Sequence, residues 1–331
     1  MYYSDKIESI KSIFGTENIT LEAKHLTVDN FIHPIIDDVI ILLDPSQYTE
    51  YVRERLTERY VGTTKELSKF SESIQYTFGE EWKLFSGILA DHKREFIEYF
   101  DLIDMASLRE LRICDLGSGN GRWSYFLGDK CRELILVDFS DSIFVARGNL
   151  RNVKNALFFM GDLKQLPFRN DFCDLIFCLG VLHHLPTDAL VEVRKLRKYA
   201  PALLVYVYYA LDNRPFYYYI LFRIINEIRK QTCKVRSALF RLCFTYLAGV
   251  LVYLPMGIMA EALKPFGLDR LIPLHDQCSF DLKYIRQQVY DRFFTSIEQR
   301  FTRRQIMELK DTFGSVVVSE KSGYWHFLCR R

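Results

Sequence analysis

The chain has 331 residues, nearly half apolar and a quarter charged, which excludes a disordered or collagen-like chain and permits a sizeable core in about two domains. Net charge is only +2, yet 12 Lys/Arg against 21 Asp/Glu in residues 1–110 give way to 32 against 21 in 111–331, so a basic working surface is expected in the second part. The eight cysteines, at 114, 131, 173, 178, 233, 243, 278 and 329, include no CxxC pair, which argues against a disulfide framework or metal site and for buried thiols in a reducing cytosol.

The N-terminus, MYYSDKIESIKSIFG, lacks the basic-then-apolar layout of a signal peptide, so a cytoplasmic protein is expected. Within residues 1–48 short Ile/Val/Thr-rich runs, punctuated by Asn, Asp and Pro, predict a few strands in a small β module. Residues 49–110 change to helical spacing, in YTEYVRERLTERY and in GEEWKLFSGILADHKREFIEYFDLI, where Trp82, Phe85 and Leu89 fall near one face.

From 111 the rhythm is strand–helix alternation: LRIC, ELILVD, ALFFMGD, FCDLIFCLG and ALLVYVYY are apolar runs of buried-strand length, separated by glycine loops and helical patterns. That predicts an α/β class with a parallel sheet covered by helices on both faces. SVVVSE and YWHFLCRR add two last strands, after a helix that Thr302 and Gln305 open with capping-box spacing.

In a doubly wound sheet, ligands sit in the crevice at the carboxyl ends of the strands, where ICDLGSGNGRWSYF places Gly117, Gly119 and Gly121. Glycine there admits positive φ and close approach of the backbone to a ligand. A dinucleotide loop wants a third glycine three positions after the second, and here, counted from Gly119, that position is Arg122. Asp115, just before the loop, would repel a pyrophosphate and favour a ligand bearing an ammonium group. No Gly-Lys-Ser/Thr follows, so a P-loop is excluded as well.

The D-x-G-x-G-x-G run resembles motif I of class I S-adenosylmethionine (SAM)-dependent methyltransferases, and the resemblance extends over about 100 residues. Asp138 ends the second strand, where the family's acid accepts both ribose hydroxyls. Asp162 ends the third, where an acid meets the adenine amino group. LPFRNDFCDLIFCLGVLHHLP resembles the fourth-strand segment of the small-molecule methyltransferases. The resemblance implies a Rossmann-like seven-stranded sheet, SAM as cofactor, and a cofactor site of Asp115, Gly117, Ser118, Gly119, Asn120, Gly121, Asp138, Phe139, Asp162, Leu163, Leu179 and Gly180. His183 and His184 follow the fourth strand, and a histidine there can take a proton from the acceptor; the alternative is that one packs and the other caps the loop. Trp82 sits in a segment resembling the helix that covers the cofactor in related enzymes, with an amphipathic core helix as the alternative. Tyr290, Asp291 and Arg292 precede the last helix, in a segment that often lines the acceptor pocket in the family, so they are acceptor-side candidates beside a plain loop role.

Residues 212–296 are too long for a normal connection and read as a helical insertion within a methyltransferase domain spanning 111–331. Its first half mixes Arg/Lys with Tyr, Ile, Leu and Phe. LCFTYLAGVLVYLPMGIMA (242–260) follows without a charge, interrupted by Pro255 and Gly257. Two readings stand: a basic amphipathic helix pair at 214–260 lying on a membrane surface, or a greasy lid, substrate-capping subdomain or dimer surface. The segment resembles the long insertions at this position in methyltransferases that include ones acting on lipid-linked or other hydrophobic acceptors, which implies a small or lipid-like acceptor. The basic residues share it with a long apolar run, which ranks nucleic acid lower, and the oligomeric state stays open. Residues 34–42 weakly resemble the Trm112-like module found beside or fused to methyltransferases, here without zinc-ligand cysteines. That module and the basic second part keep a protein or tRNA methyltransferase as one alternative; a non-catalytic assembly protein of the same fold is another.

Overall fold

A computed structural model describes residues 1–56, 69–211, 215–273, 275, 281–320 and 325–331. The chain opens with helix α1 (Ile7–Phe14) and the antiparallel strands β1 (Ile19–Leu21), β2 (His25–Val28), β3 (Phe31–Ile36) and β4 (Val39–Ile41). Helices α2 (Glu50–Arg55), α3 (Lys69–Leu84) and α4 (Ala90–Tyr99) follow; residues 57–60 of the first predicted helix lie outside the described residues. The second predicted helical stretch is two helices, because the chain turns between Phe85 and Leu89, and His92 Nδ1 accepts the Leu89 N–H at the start of α4.

The alternating half is β5 (Arg112–Leu116), α5 (Arg122–Leu127), β6 (Glu133–Asp138), α6 (Ser142–Asn149), β7 (Ala156–Met160), β8 (Leu175–Leu179), α7 (Ala189–Leu196) and β9 (Ala202–Tyr209). The insertion supplies α8 (Phe216–Thr232), α9 (Ala238–Ala248) and α10 (Leu254–Leu263). The chain then ends with α11 (Leu282–Phe294), β10 (Arg300–Phe301), α12 (Arg303–Met307), β11 (Ser315–Val318) and β12 (Trp325–Arg330). The Thr302–Gln305 capping box is present at α12.

The strands run β7-β6-β5-β8-β9-β12-β11, the seven of a doubly wound α/β sheet, with β12 antiparallel to β9. At the β7 edge the N-terminal strands are continuous with this sheet: β4 pairs in parallel with β7, Ile40 opposite Phe159. Alternation along the strands builds two cores. Cys114, Leu116, Ile135 and Val137 pack with α1 and α7 on one face; Ile113, Leu134 and Leu136 pack with α4, α5 and α6 on the other. A third cluster, around Phe85, Ile285, Val289 and Phe293, joins α3 and α11 to the insertion.

Pro255 does not interrupt its helix as the sequence suggests. α9 runs through a π turn at Gly249–Tyr253 directly into α10. Proline has no N–H to give the preceding turn, and the wider turn absorbs the mismatch.

Candidate active site

A cavity opens at the carboxyl ends of β5, β6, β7, β8 and β9, the crevice where doubly wound sheets bind ligands. Its floor includes Gly117, Ser118 and Gly119 after β5, Asp138 and Phe139 at the end of β6, Asp162 and Leu163 after β7, and Leu179 and Gly180 at the end of β8. Its roof comes from α3, which presents Ile74, Phe78, Glu81 and Trp82 at helical spacing, and from α11, which presents Gln287, Asp291 and Arg292.

Gly117 and Gly119 adopt φ of 82° and 53°. A Cβ at Gly119 would meet the Trp82 indole at 2.8 Å, so the loop lies directly beneath that ring. Asp138 Oδ2 accepts the Gly119 N–H at 2.8 Å, and its Oδ1 accepts Ser140 N–H and Oγ–H at 2.9 and 2.8 Å. Burial raises its pKa while these bonds pull it back down. Oδ1 is thereby filled, and Oδ2 keeps a lone pair for a ligand's hydroxyl. Asp162 Oδ1 accepts the Lys164 N–H at 2.9 Å.

Three residues of the expected cofactor set do not line the cavity. Asp115 is 1% exposed; its side chain turns behind the loop to accept the Ser124 Oγ–H at 2.6 Å, and burial pushes its carboxyl up to about 8. This bond ties the loop to α5 and leaves the carboxyl outside the cavity lining. Asn120 is fully buried and ties the loop down by donating to the Phe85 carbonyl at 3.1 Å. Gly121 faces α6, where a Cβ would meet Leu150 at 2.7 Å.

The two histidines separate. His183 is fully buried, its ring 4.0 Å from that of Tyr208, and burial holds its imidazole well below the usual range. It lies outside the cavity lining, so the packing reading fits it. His184 lines the cavity. Its Nδ1 lies 2.7 Å from the Ile297 carbonyl, which can only accept, so Nδ1 carries the proton and Nε2 is the accepting atom. Nε2 is 3.9 Å from Asp291 Oδ1, while Asp291 Oδ2 accepts the Tyr208 hydroxyl at 2.7 Å. Tyr290 points away, its hydroxyl bonded to Arg241 of the insertion.

The cavity also holds groups that sequence reasoning did not assign. The Arg122 guanidinium lies 4.3 Å over the Trp123 ring and 5.0 Å over that of Trp82, and its Nη1 is buried without a hydrogen-bond partner among the described residues. Glu81 and Glu95, 2% and 8% exposed, each keep Oε2 unpartnered among the same residues, and burial raises both carboxyls. Glu95 Oε1 accepts the Tyr284 hydroxyl at 2.7 Å. Tyr99, Tyr206 and Tyr208 complete the wall. The one available signal was Arg122 itself, in the place of the expected third glycine.

This cavity fits a zwitterionic nucleoside such as SAM: glycines beneath, acids at the ends of β6 and β7, and a cation and acids that each keep an unpartnered atom. Comparison with protein families matches residues 113–199 to the methyltransferase domain family. Phosphoethanolamine N-methyltransferase 1 of Caenorhabditis elegans is 29% identical over 113 residues, covering 32% of this chain and 24% of that protein. An uncharacterized methyltransferase of Staphylococcus carnosus is 29% identical over 99 residues, covering 30% of this chain and 46% of that one. The chain thus spans less than half the length of either relative. The crystal structure of magnesium protoporphyrin IX methyltransferase from Synechocystis, with S-adenosylhomocysteine (SAH) bound, aligns with 79% of this chain and 98% of its own at 15% identity and a TM-score of 0.43. With motif, cavity and family match agreeing, residues 113–199 form a methyltransferase domain of the SAM-dependent class.

Proposed function

We propose that the protein transfers a methyl group from SAM to a small-molecule or lipid-like acceptor admitted between α3 and α11. The observation that carries this reading is one cavity running from the glycine loop to His184 and Asp291. Similarity over 113 residues to a phosphoethanolamine N-methyltransferase supports a small acceptor.

When bound, SAM supplies a methyl group made electrophilic by its sulfonium. Gly117 and Gly119 let the backbone approach it, Asp138 holds the ribose through a hydroxyl and Asp162 meets the adenine. Arg122 faces the carboxylate of its amino-acid end, and Glu81 and Glu95 face the ammonium, which offsets the cost of burying those acids. Trp82 and Phe78 keep water from the reacting groups. Positioning of this kind contributes roughly 7–11 kcal/mol in favourable cases. His184 Nε2 takes the acceptor's proton, and Asp291 stabilises the imidazolium that forms.

Calorimetric titration with SAH tests the cofactor half: Asp138→Ala is expected to weaken binding by roughly 10- to 100-fold, and unchanged affinity would remove the ribose assignment. For the acceptor half, isotope-labelled methyl SAM is incubated with cell extract. Label in a metabolite or lipid supports the proposal; label only in protein or RNA, or none despite bound SAM, overturns it.

A further inference from the structure

The insertion carries an apolar surface that plays no part in the cavity. On α8, Phe216, Ile220 and Ile224 stand exposed at spacings of four residues. The helix Ala238–Phe266 is long and apolar enough to cross a membrane, yet little of its apolar stretch is buried within the protein. The buried side is a stripe one helical turn apart: Arg241, Thr245 and Gly249, continued by Gly257 and Ala260. Arg241 bonds Tyr290 of α11 across this contact, and the Arg286 side chain of α11 reaches Thr245 at 3.4 Å. The opposite side is open, with Leu247 60% and Leu251 68% exposed.

We propose that the open faces of α8 and α9–α10 lie in the headgroup region of an anionic lipid bilayer. Contiguous exposed apolar side chains on this scale mark an interaction surface. Charge selects the occupant: the exposed side chains Arg223, Lys230, Lys234, Arg236 and Lys264 outnumber the acids beside them, Glu227, Glu261 and Glu72 of α3. These acids pair with Lys230, Lys264 and Arg236 and leave Arg223 and Lys234 in excess. Such a rim repels a second copy of itself and attracts anionic headgroups. The helix lies on the bilayer and does not span it, because its packed stripe is held along α11 and both ends of the insertion return to the one catalytic sheet. Since α11 also presents Gln287 and Asp291 to the cavity, the bilayer surface is one helix away from the site of reaction.

The full-length protein is sedimented with phosphatidylcholine vesicles, with and without phosphatidylglycerol. Binding to the anionic vesicles, reduced but not abolished by high salt, is expected. Leu247→Glu and Leu251→Glu should each lower the partition coefficient by roughly 10- to 100-fold, and Lys230→Gln or Lys234→Gln by about fivefold per charge. All four side chains are exposed, and unchanged SAH binding by each variant verifies its fold. Wild-type protein left in the supernatant, or a Leu247→Glu/Leu251→Glu variant that binds like wild type, overturns the proposal. So does light scattering that shows a wild-type dimer, made monomeric by the same substitutions, with no vesicle binding.

Discussion

Asp115 opens the glycine motif yet turns away from the cavity, and its environment predicts a specific pH dependence. The carboxyl is 1% exposed, and burial is the main cause that lifts it from 3.8 to about 8; the nearby Asp138 adds to the rise, while the Ser124 hydrogen bond and Arg122 oppose it. The folded state therefore holds this proton over a range in which the unfolded chain has released it. Stability from this group is full below about pH 4 and is lost as pH rises towards 8. One proton of difference corresponds to about 1.4 kcal/mol per pH unit. An asparagine in its place would mimic the neutral carboxyl in shape and cannot titrate. Between pH 5 and 7, Asp115→Asn should thus gain about 2.7 kcal/mol relative to wild type, with little further change above pH 8.

Urea unfolding of both proteins across this range, followed by tryptophan fluorescence, gives the difference directly. Other titrating groups are common to the two chains and cancel. A stability difference constant from pH 5 to 7 would refute the reasoning: the carboxyl would then titrate alike in the folded and unfolded states, and a role as a charged ligand group would return.

Two further outcomes concern the cavity. His184→Gln keeps an amide to bond the Ile297 carbonyl but loses the accepting nitrogen. Turnover of the acceptor found in extract should fall about 10²-fold or more while SAH affinity is unchanged, and equal losses in both would make the residue structural. Gly119→Ala combines a φ of 53° with a Cβ 2.8 Å from the Trp82 indole. It should cost about 1–3 kcal/mol of stability and shift Trp82 emission; an unchanged denaturation midpoint would show that the indole does not cover the loop.

What was legible in the sequence was local. The loop, its two following acids and the parallel strands are each written within a few residues, as is the Thr302 capping box, and the structure places all of them where the spacing predicts. Groups assembled across the chain were not legible. Glu95 and Tyr99 reach the cavity from α4 and Tyr208 from β9, in segments that read only as amphipathic or apolar runs. The pairing of β4 with β7 depends on a long-range register that no short window contains. Periodicity also does not distinguish a residue that lines a site from one that braces it. Asp115, Asn120, Gly121, His183 and Tyr290 all belong to segments that do line the cavity, yet they point into the protein.

Arg122 shows how these two limits meet. Read as a motif position, it is the absence of a glycine, and that absence argues against a dinucleotide. In the fold the same residue places a guanidinium between Trp82 and Trp123, beside two acids that likewise lack a partner for one oxygen among the described residues. One buried guanidinium nitrogen and two buried carboxylates, without mutual hydrogen bonds among the described residues, are costly unless a ligand of complementary charge completes them. The departure from one cofactor's pattern is thus also the strongest local argument for another: a ligand that brings its own carboxylate and ammonium to the same end of the cavity.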